Sequence, residues 1–175
     1  IGGGFSEESV LLAAEMGLPL MLPSVIQPPT AFAPMVERYR ETFQDRGYGP
    51  PLVGALSHTH VAEDLKTAAG RYRERHSDYI GWVTGELLPW GLEPVLPPGT
   101  PAPSLPEMDF ESMRTEGPLV IGSPQQVLDR LAEFKQACGL DRQLFHVDSG
   151  ALPQGALFES LEMLASDVLP KLREA

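Results

Sequence analysis

Apolar residues along this chain recur at helical spacing in some segments and form short continuous runs in others. Val10, Ala13 and Ala14 fall on one face of a segment that ends at Gly17, and an apolar run over 18–22 follows. The same alternation continues to the end of the chain. It predicts helices over 6–17, 33–47, 63–79, 123–139 and 157–173, and strands over 18–22, 52–61 and 142–147.

Strands that alternate with helices predict an α/β fold with a parallel sheet. The connections are too long for hairpins, so we expect right-handed crossovers between the strands. The 175 residues accommodate three or four such units, whereas a complete barrel of this kind needs about eight units and about 250 residues. The chain is therefore either a small open α/β domain or part of a barrel.

Residues 81–117 interrupt the alternation. Seven prolines in this region prevent long regular structure, and Trp82, Trp90 and Phe110 offer apolar anchors. We predict an irregular Pro-rich insertion. It is either a lid over a site or a surface excursion that a few aromatic side chains hold in place.

The glycine-rich start of the chain is a candidate anion site. Gly2, Gly3 and Gly4 allow close approach of the backbone, and Ser6 stands where a helix N-cap is expected. The free N–H groups and the positive dipole end of the helix would face a phosphate there. Two observations oppose this interpretation: similar turns occur in α/β proteins without any ligand, and the adjacent carboxylates of residues 7–8 repel an anion.

Charge and composition exclude several classes of partner. The net charge is −11, from 24 acidic and 13 basic residues with no basic run, which argues against nucleic acid or an anionic membrane as a partner. No apolar run is long enough to span a bilayer, and the single cysteine excludes a disulfide framework. We expect a cytoplasmic protein in which Cys138 is a small buried group rather than an activated thiol.

Two histidines alternate on the second predicted strand. His58 and His60 are two residues apart and therefore share a face if the strand is regular. A metal site is disfavoured because no carboxylate or cysteine accompanies them nearby. The remaining alternatives are a structural role and a hydrogen bond to a ligand.

Two further histidines carry weaker signals. His146 precedes Asp148 and Ser149, but close neighbours on one strand cannot form the chain of contacts of a Ser-His-Asp triad. His76 lies on an arginine-rich helix, and we predict that it is solvated.

Seven segments together resemble the luciferase-like flavin-dependent monooxygenases, in order and in spacing, over nearly the whole chain. The resemblance is most specific at the Gly-Ser-Pro helix start and in the closing helix. The segments are Gly-Gly-Phe-Ser-Glu-Glu-Ser at 3–9, Ala-Ala-Glu-Met-Gly-Leu-Pro-Leu-Met-Leu at 13–22, Phe-Ala-Pro-Met-Val-Glu-Arg-Tyr-Arg at 32–40, Ser-His-Thr-His-Val-Ala at 57–62, Val-Ile-Gly-Ser-Pro-Gln-Gln-Val at 120–127, Gly-Ala-Leu-Pro at 150–153 and Ser-Leu-Glu-Met-Leu-Ala-Ser-Asp-Val-Leu-Pro at 160–170.

The resemblance implies a fold and a cofactor. Family members are single barrels of roughly twice this length, so residues 1–175 would form one partial domain, the C-terminal half of a (β/α)8 TIM barrel that starts at the end of the fifth strand. The implied activity is that of an FMN-dependent oxidoreductase, in which reduced flavin reacts with oxygen or passes on a hydride. The flavin phosphate would bind at Gly3, Gly4, Ser6 and Ser9, and His58 or His60 would contact substrate or the isoalloxazine ring.

Two alternatives to this function remain at this point. One is hydride transfer with a deazaflavin whose phosphate uses the same loop. The other is a non-catalytic, flavin-binding or structural half-barrel whose open sheet edges are covered by a partner. The resemblance also implies a homodimer or association with a missing half, and we expect that the strand ending near Ile1 has its body upstream.

Overall fold

A computed structural model of the chain describes residues 6–25, 27–82, 109–148 and 152–174. Helices and strands alternate through these ranges. In chain order the elements are α1 (Glu7–Glu15), β1 (Leu20–Leu22), a 3-10 turn (Pro29–Phe32), α2 (Ala33–Asp45), β2 (Val53–Val61), α3 (Leu65–Trp82), α4 (Phe110–Thr115), β3 (Val120–Gly122), α5 (Pro124–Cys138), β4 (Arg142–His146), α6 (Gln154–Met163), a π-helical segment (Leu164–Val168) and α7 (Leu169–Glu174).

The three predicted strands lie side by side in one parallel sheet. Strand β2 pairs with β1 in the register Leu20↔Val53 and with β4 in the register His58↔His146. The carbonyls of Leu52 and Val53 accept hydrogen bonds from the β1 side and the β4 side respectively. Since neighbouring carbonyls in a strand point to opposite edges, β1 and β4 flank β2 on its two sides. The α/β prediction is confirmed, and the order β1–β2–β4 is that of consecutive barrel strands joined by helical crossovers.

One short strand and one short α-helix escaped prediction, as did the 3-10 turn and the π-helical segment. Strand β3 has three residues and pairs with the C-terminal end of β2, in the register Thr59↔Val120. Helix α4 lies within the region predicted to be irregular, where the carboxylate of Asp109 accepts hydrogen bonds from the first-turn N–H groups of Glu111 and Ser112. The remainder of the predicted insertion, residues 83–108, lies outside the described residues.

Helix α5 begins and ends with the predicted residues. Ser123 and Gln126 form a reciprocal capping box, and Pro124 occupies the first helical position. Gly139 ends the helix in the left-handed conformation, at φ 56°, and its carbonyl accepts a hydrogen bond from Arg40 of α2 at 2.6 Å.

The two faces of β2 have different neighbours. The odd-numbered face carries Val53, Ala55 and Val61, which join the main core formed by α1, α2, α5 and the closing helix. Helices α1, α2 and α5 cover this face from outside, as in a TIM barrel, so the opposite face, which Tyr72 and Tyr79 of α3 contact, corresponds to the barrel interior. That face carries His58 and His60, and we call it the histidine face.

Side-chain oxygens complete the hydrogen bonding of β2 where neighbouring strands end. The hydroxyl of Ser24 donates to the Leu56 carbonyl at 2.8 Å and accepts from the Leu56 N–H at 3.1 Å. Ser160 of α6 accepts from the Val61 N–H at 2.9 Å. These contacts satisfy buried backbone groups that would otherwise lose hydrogen bonds on folding.

None of the described helices is both long enough and apolar enough to cross a bilayer.

Candidate functional site

Two serine hydroxyls form the N-terminal end of α1. Ser6 is the N-cap residue, with extended backbone angles, and its Oγ accepts a hydrogen bond from the Ser9 N–H at 3.3 Å. The Ser9 hydroxyl donates to the Ser6 carbonyl at 2.8 Å, and the two Oγ atoms are 3.2 Å apart. Both hydroxyls therefore lie at the positive end of the helix dipole. Gly3 and Gly4, the other predicted phosphate ligands, lie outside the described residues.

The acidic first turn of α1 is partly compensated by α2. Glu7 forms an ion pair with Arg38, and both side chains are about half exposed. A surface ion pair of this kind adds little stability, but it places a guanidinium beside the carboxylate that would repel an anion. Arg38 was not among the predicted site residues, because its approach to Glu7 depends on the packing of two helices.

His58 and His146 face each other across β2 and β4. Their Nδ1 atoms are 3.0 Å apart, so one ring donates a hydrogen bond to the other. His58 is buried whereas His146 is exposed, and the Tyr79 ring of α3 meets His58 edge-on at 4.8 Å between centroids. Burial, followed by the nearby charges of His146 and His76, lowers the pKa of His58 from 6.5 to about 4. His58 is therefore neutral at pH 7.

His60 lies two residues further along the histidine face. Its ring is fully buried and stacks on Tyr72 of α3 at 5.9 Å between centroids. Burial and then the Arg71 charge lower the pKa of His60 from 6.5 to about 4, while Glu159 opposes this shift. Within the described ranges, neither ring nitrogen of His60 has a hydrogen-bond partner. A buried polar side chain without partners is typical of a site that water or a ligand completes.

The prediction that His76 is solvated was wrong. His76 is 2% exposed, and its ring meets Phe110 of α4 edge-on at 5.8 Å between centroids. The reason is that His76 lies four residues after Tyr72, on the same inner stripe of α3. The arginines of that helix occupy its other faces.

The remaining candidate groups do not form additional sites in the described ranges. His146 contacts His58, and Ser149 of the disfavoured triad lies outside the described residues. Cys138 is buried as predicted; its thiol donates to the Pro29 carbonyl at 2.9 Å, and burial raises its pKa. A cluster of three or more metal-ligating side chains is not found in the part of the chain that the structure describes.

Comparison with known proteins identifies one family model. The luciferase-like monooxygenase model matches residues 1–142 of the chain. No curated protein sequence matches.

Several solved structures share the fold. Monooxygenase RslO1 from Streptomyces bottropensis aligns with a TM-score of 0.69 at 18% identity, over 98% of this chain and 47% of its own. The oxygenating constituent of 3,6-diketocamphane monooxygenase from Pseudomonas putida, in complex with FMN, aligns with a TM-score of 0.68 at 18% identity, over 93% of this chain and 45% of its own. The coenzyme F420 dependent tetrahydromethanopterin reductase from Methanopyrus kandleri aligns with a TM-score of 0.62 at 14% identity, over 97% of this chain and 49% of its own. The chain thus spans about half the length of these proteins.

Proposed function

The chain belongs to the luciferase-like monooxygenase family, and we propose that it supplies the cofactor-phosphate half of a flavin-dependent oxidoreductase. The observation that carries the proposal is the N-terminal end of α1. There the hydroxyls of Ser6 and Ser9 lie beside the first-turn N–H groups, which no carbonyl within the helix can satisfy. Such a helix end is suited to a phosphate.

The residues at this end of α1 fit the phosphate of FMN. Ser6 and Ser9 would donate hydroxyl hydrogen bonds, and Gly3 and Gly4 would let the backbone approach the phosphate closely. The ion pair of Glu7 with Arg38 reduces the repulsion that the first turn would otherwise exert. FMN, when bound, supplies the redox chemistry, and the protein holds and orients it.

The histidine face supplies the second part of the proposal. His58 and His60 lie on the face that corresponds to the barrel interior, where one of them would contact substrate or the isoalloxazine ring. Both are neutral at pH 7, because burial lowers each pKa to about 4. They are therefore suited to donate and accept hydrogen bonds with neutral polar groups rather than to hold an anion by charge.

A deazaflavin is the second candidate cofactor. One structural neighbour is named as a coenzyme F420 dependent reductase, and another contains FMN. Both kinds of cofactor carry a phosphate that the α1 terminus would accept. Parallel titrations of the protein with FMN and with F420 distinguish them, since the preferred cofactor binds more tightly.

Replacing Ser9 by glutamate tests the phosphate site. Ser9 is the third helical residue after the Ser6 cap, so Ser9→Glu creates a Ser-x-x-Glu capping box and preserves the helix. The added carboxylate should raise the dissociation constant for FMN by about tenfold or more. Quenching of flavin fluorescence measures this constant, and thermal unfolding checks that stability is retained.

Ser77→Glu is the matched control, because Ser77 is an exposed serine on α3, outside the proposed site. It adds the same charge and should leave FMN affinity unchanged. Equal affinities in both variants and the wild type would remove the α1 terminus from the site. Failure of the wild type to take up either FMN or F420 would overturn the flavin proposal itself.

Association is also part of the proposal, with either a second copy or the other half of a barrel. Leu12 and Met16 lie one turn apart on α1 and are 55% and 59% exposed. Together they would form the apolar part of such an association surface. The proposed location is the cytoplasm, where Cys138 would remain a free thiol.

A further inference from the structure

Helix α3 covers part of the histidine face, and three buried histidines lie in this contact. His58 and His60 reach it from β2, and His76 lies on α3 itself; the three side chains are 1%, 0% and 2% exposed. Tyr79 of α3 meets His58 edge-on, and Tyr72 stacks on His60. A helix of the same chain therefore occupies the space in front of these histidines.

The contact between α3 and the histidine face leaves polar atoms unsatisfied. In the described ranges, both ring nitrogens of His60 and the Nε2 atom of His76 are buried without a hydrogen-bond partner. Such atoms have lost their hydrogen bonds to water and regain them when the contact opens. The fourth histidine of the chain, His146, is exposed, so the buried histidines all belong to this contact and none lies in the main core.

His58 and His76 are surrounded by groups that disfavour their protonation. Burial, followed by the charges of His146 on β4 and His76 on α3, lowers the pKa of His58 from 6.5 to about 4. Burial also lowers the pKa of His76, although the Asp109 carboxylate at the start of α4 opposes this shift. Protonation of both histidines therefore places two positive charges close together inside the contact.

His60 is disfavoured as a cation in the same way. Burial and then the Arg71 charge lower its pKa from 6.5 to about 4, while Glu159 opposes the shift. Arg71 of α3 also donates a hydrogen bond to Glu159 of α6 at 2.7 Å, and this ion pair tethers α3 to the rest of the molecule. Each buried imidazole binds a proton more tightly once α3 has moved away, so protonation favours an open arrangement.

We propose that α3 is a pH-sensitive cover of the histidine face, which is released when the buried histidines of the contact become protonated. Above pH 6.5 these histidines are neutral and α3 stays packed on the sheet. As the pH falls from 6.5 toward 4, the opening equilibrium shifts toward release by up to about tenfold per pH unit for each of His58 and His60. Release exposes the histidine face, and the inference rests on the proposed function only for the ligand that this face then receives.

Hydrogen–deuterium exchange of the flavin-free protein tests the release of α3. Mass spectrometry of peptic fragments gives the protection of each helix at pH 7, 6 and 5, after correction for the pH dependence of intrinsic amide exchange. The protection of α3 should fall by about tenfold or more over this range. Helix α5 packs in the main core and should keep its protection.

His60→Leu and His76→Phe are the matched variants, since each replaces one titrating ring of the contact by an apolar side chain. Each should reduce the pH dependence of α3 protection, and His60→Leu should do so by up to about tenfold per pH unit. Protection of α3 that is constant from pH 7 to 5, that falls together with that of α5, or that falls equally in the wild type and both variants would overturn the proposal. Because no flavin is present, this outcome is distinguishable from failure of the protein to bind FMN or F420.

Discussion

His60 is a buried base whose protonation is coupled to unfolding. Burial and the Arg71 charge lower its pKa to about 4 in the folded protein, against 6.5 when it is exposed, and Glu159 opposes this shift. Between these values the unfolded chain binds more protons than the folded protein. The free energy of unfolding is therefore highest above pH 6.5 and falls as the pH drops toward 4.

His60→Leu should flatten this pH dependence. The apolar side chain cannot be protonated, so the slope of unfolding free energy against pH should decrease by up to about 1.4 kcal/mol per pH unit between pH 6 and 4.5. Urea denaturation at a series of pH values measures the slope. An identical slope in the variant and the wild type would show that His60 is already protonated, or accessible to water, in the folded protein.

Single residues were predictable where their environment is local. Ser6 and Ser123 were identified as caps from the few residues around them, and Gly139 was identified as a helix end. The burial of His76 was not predictable, because the face that α3 presents to α4 depends on tertiary packing. The contact of His58 with His146 required the register of two strands that are 88 residues apart in sequence.

Helix α5 and helix α3 contain glycines with opposite roles. Gly139 ends α5 at φ 56°, where an added Cβ would lie 2.9 Å from Nη2 of Arg40. Gly70 lies on the exposed side of α3, where an added Cβ would meet no atom within 4 Å in the described structure. The same substitution is therefore expected to have opposite effects on the two helices.

Gly139→Ala should lower the free energy of unfolding by about 1–2 kcal/mol, since alanine is strained in the left-handed conformation. Gly70→Ala should raise it by about 0.5–1 kcal/mol, because alanine has the higher helix propensity. Chemical denaturation of both variants measures these changes. Destabilisation by Gly70→Ala would contradict the described exposure of α3 at this position.

Elements were predictable according to the strength of their local signals. The long amphipathic helices and the strands β1, β2 and β4 combine hydrophobic periodicity with terminal glycines or caps. Strand β3 has only three residues and continues directly into the Ser123 cap, which leaves no periodicity to detect. Helix α4 follows a proline-rich region, and its only local signal is the cap at Asp109.

At the scale of the whole molecule, the alternation of helices and strands in the sequence predicts the parallel sheet. It does not predict which elements pack on each face of that sheet. The alternation of helices and strands predicts helical crossovers that pack on the sheet. The main core, which these helices form, lies against the odd-numbered face of β2 as expected. Tyr72 and Tyr79 of α3 lie against the histidine face instead. Both faces of β2 are buried, so its hydrophobic pattern does not distinguish them.

The apolar surface of α1 leads to a prediction for the molecule as a whole. Leu12 of α1 and Met16, which caps the C-terminal end of this helix, are exposed, whereas Val10, Ala13 and Ala14 are buried. We expect the purified chain to associate through this surface, because burying the exposed half of these two apolar side chains favours association by roughly 1 kcal/mol each. Sedimentation velocity over a range of concentrations measures the association.

The double variant Leu12→Glu with Met16→Glu should shift the protein toward monomer, and Ser77→Glu, which adds one charge elsewhere, should not. A wild-type protein that sediments as a monomer at every concentration would show that α1 is not an association surface for the chain.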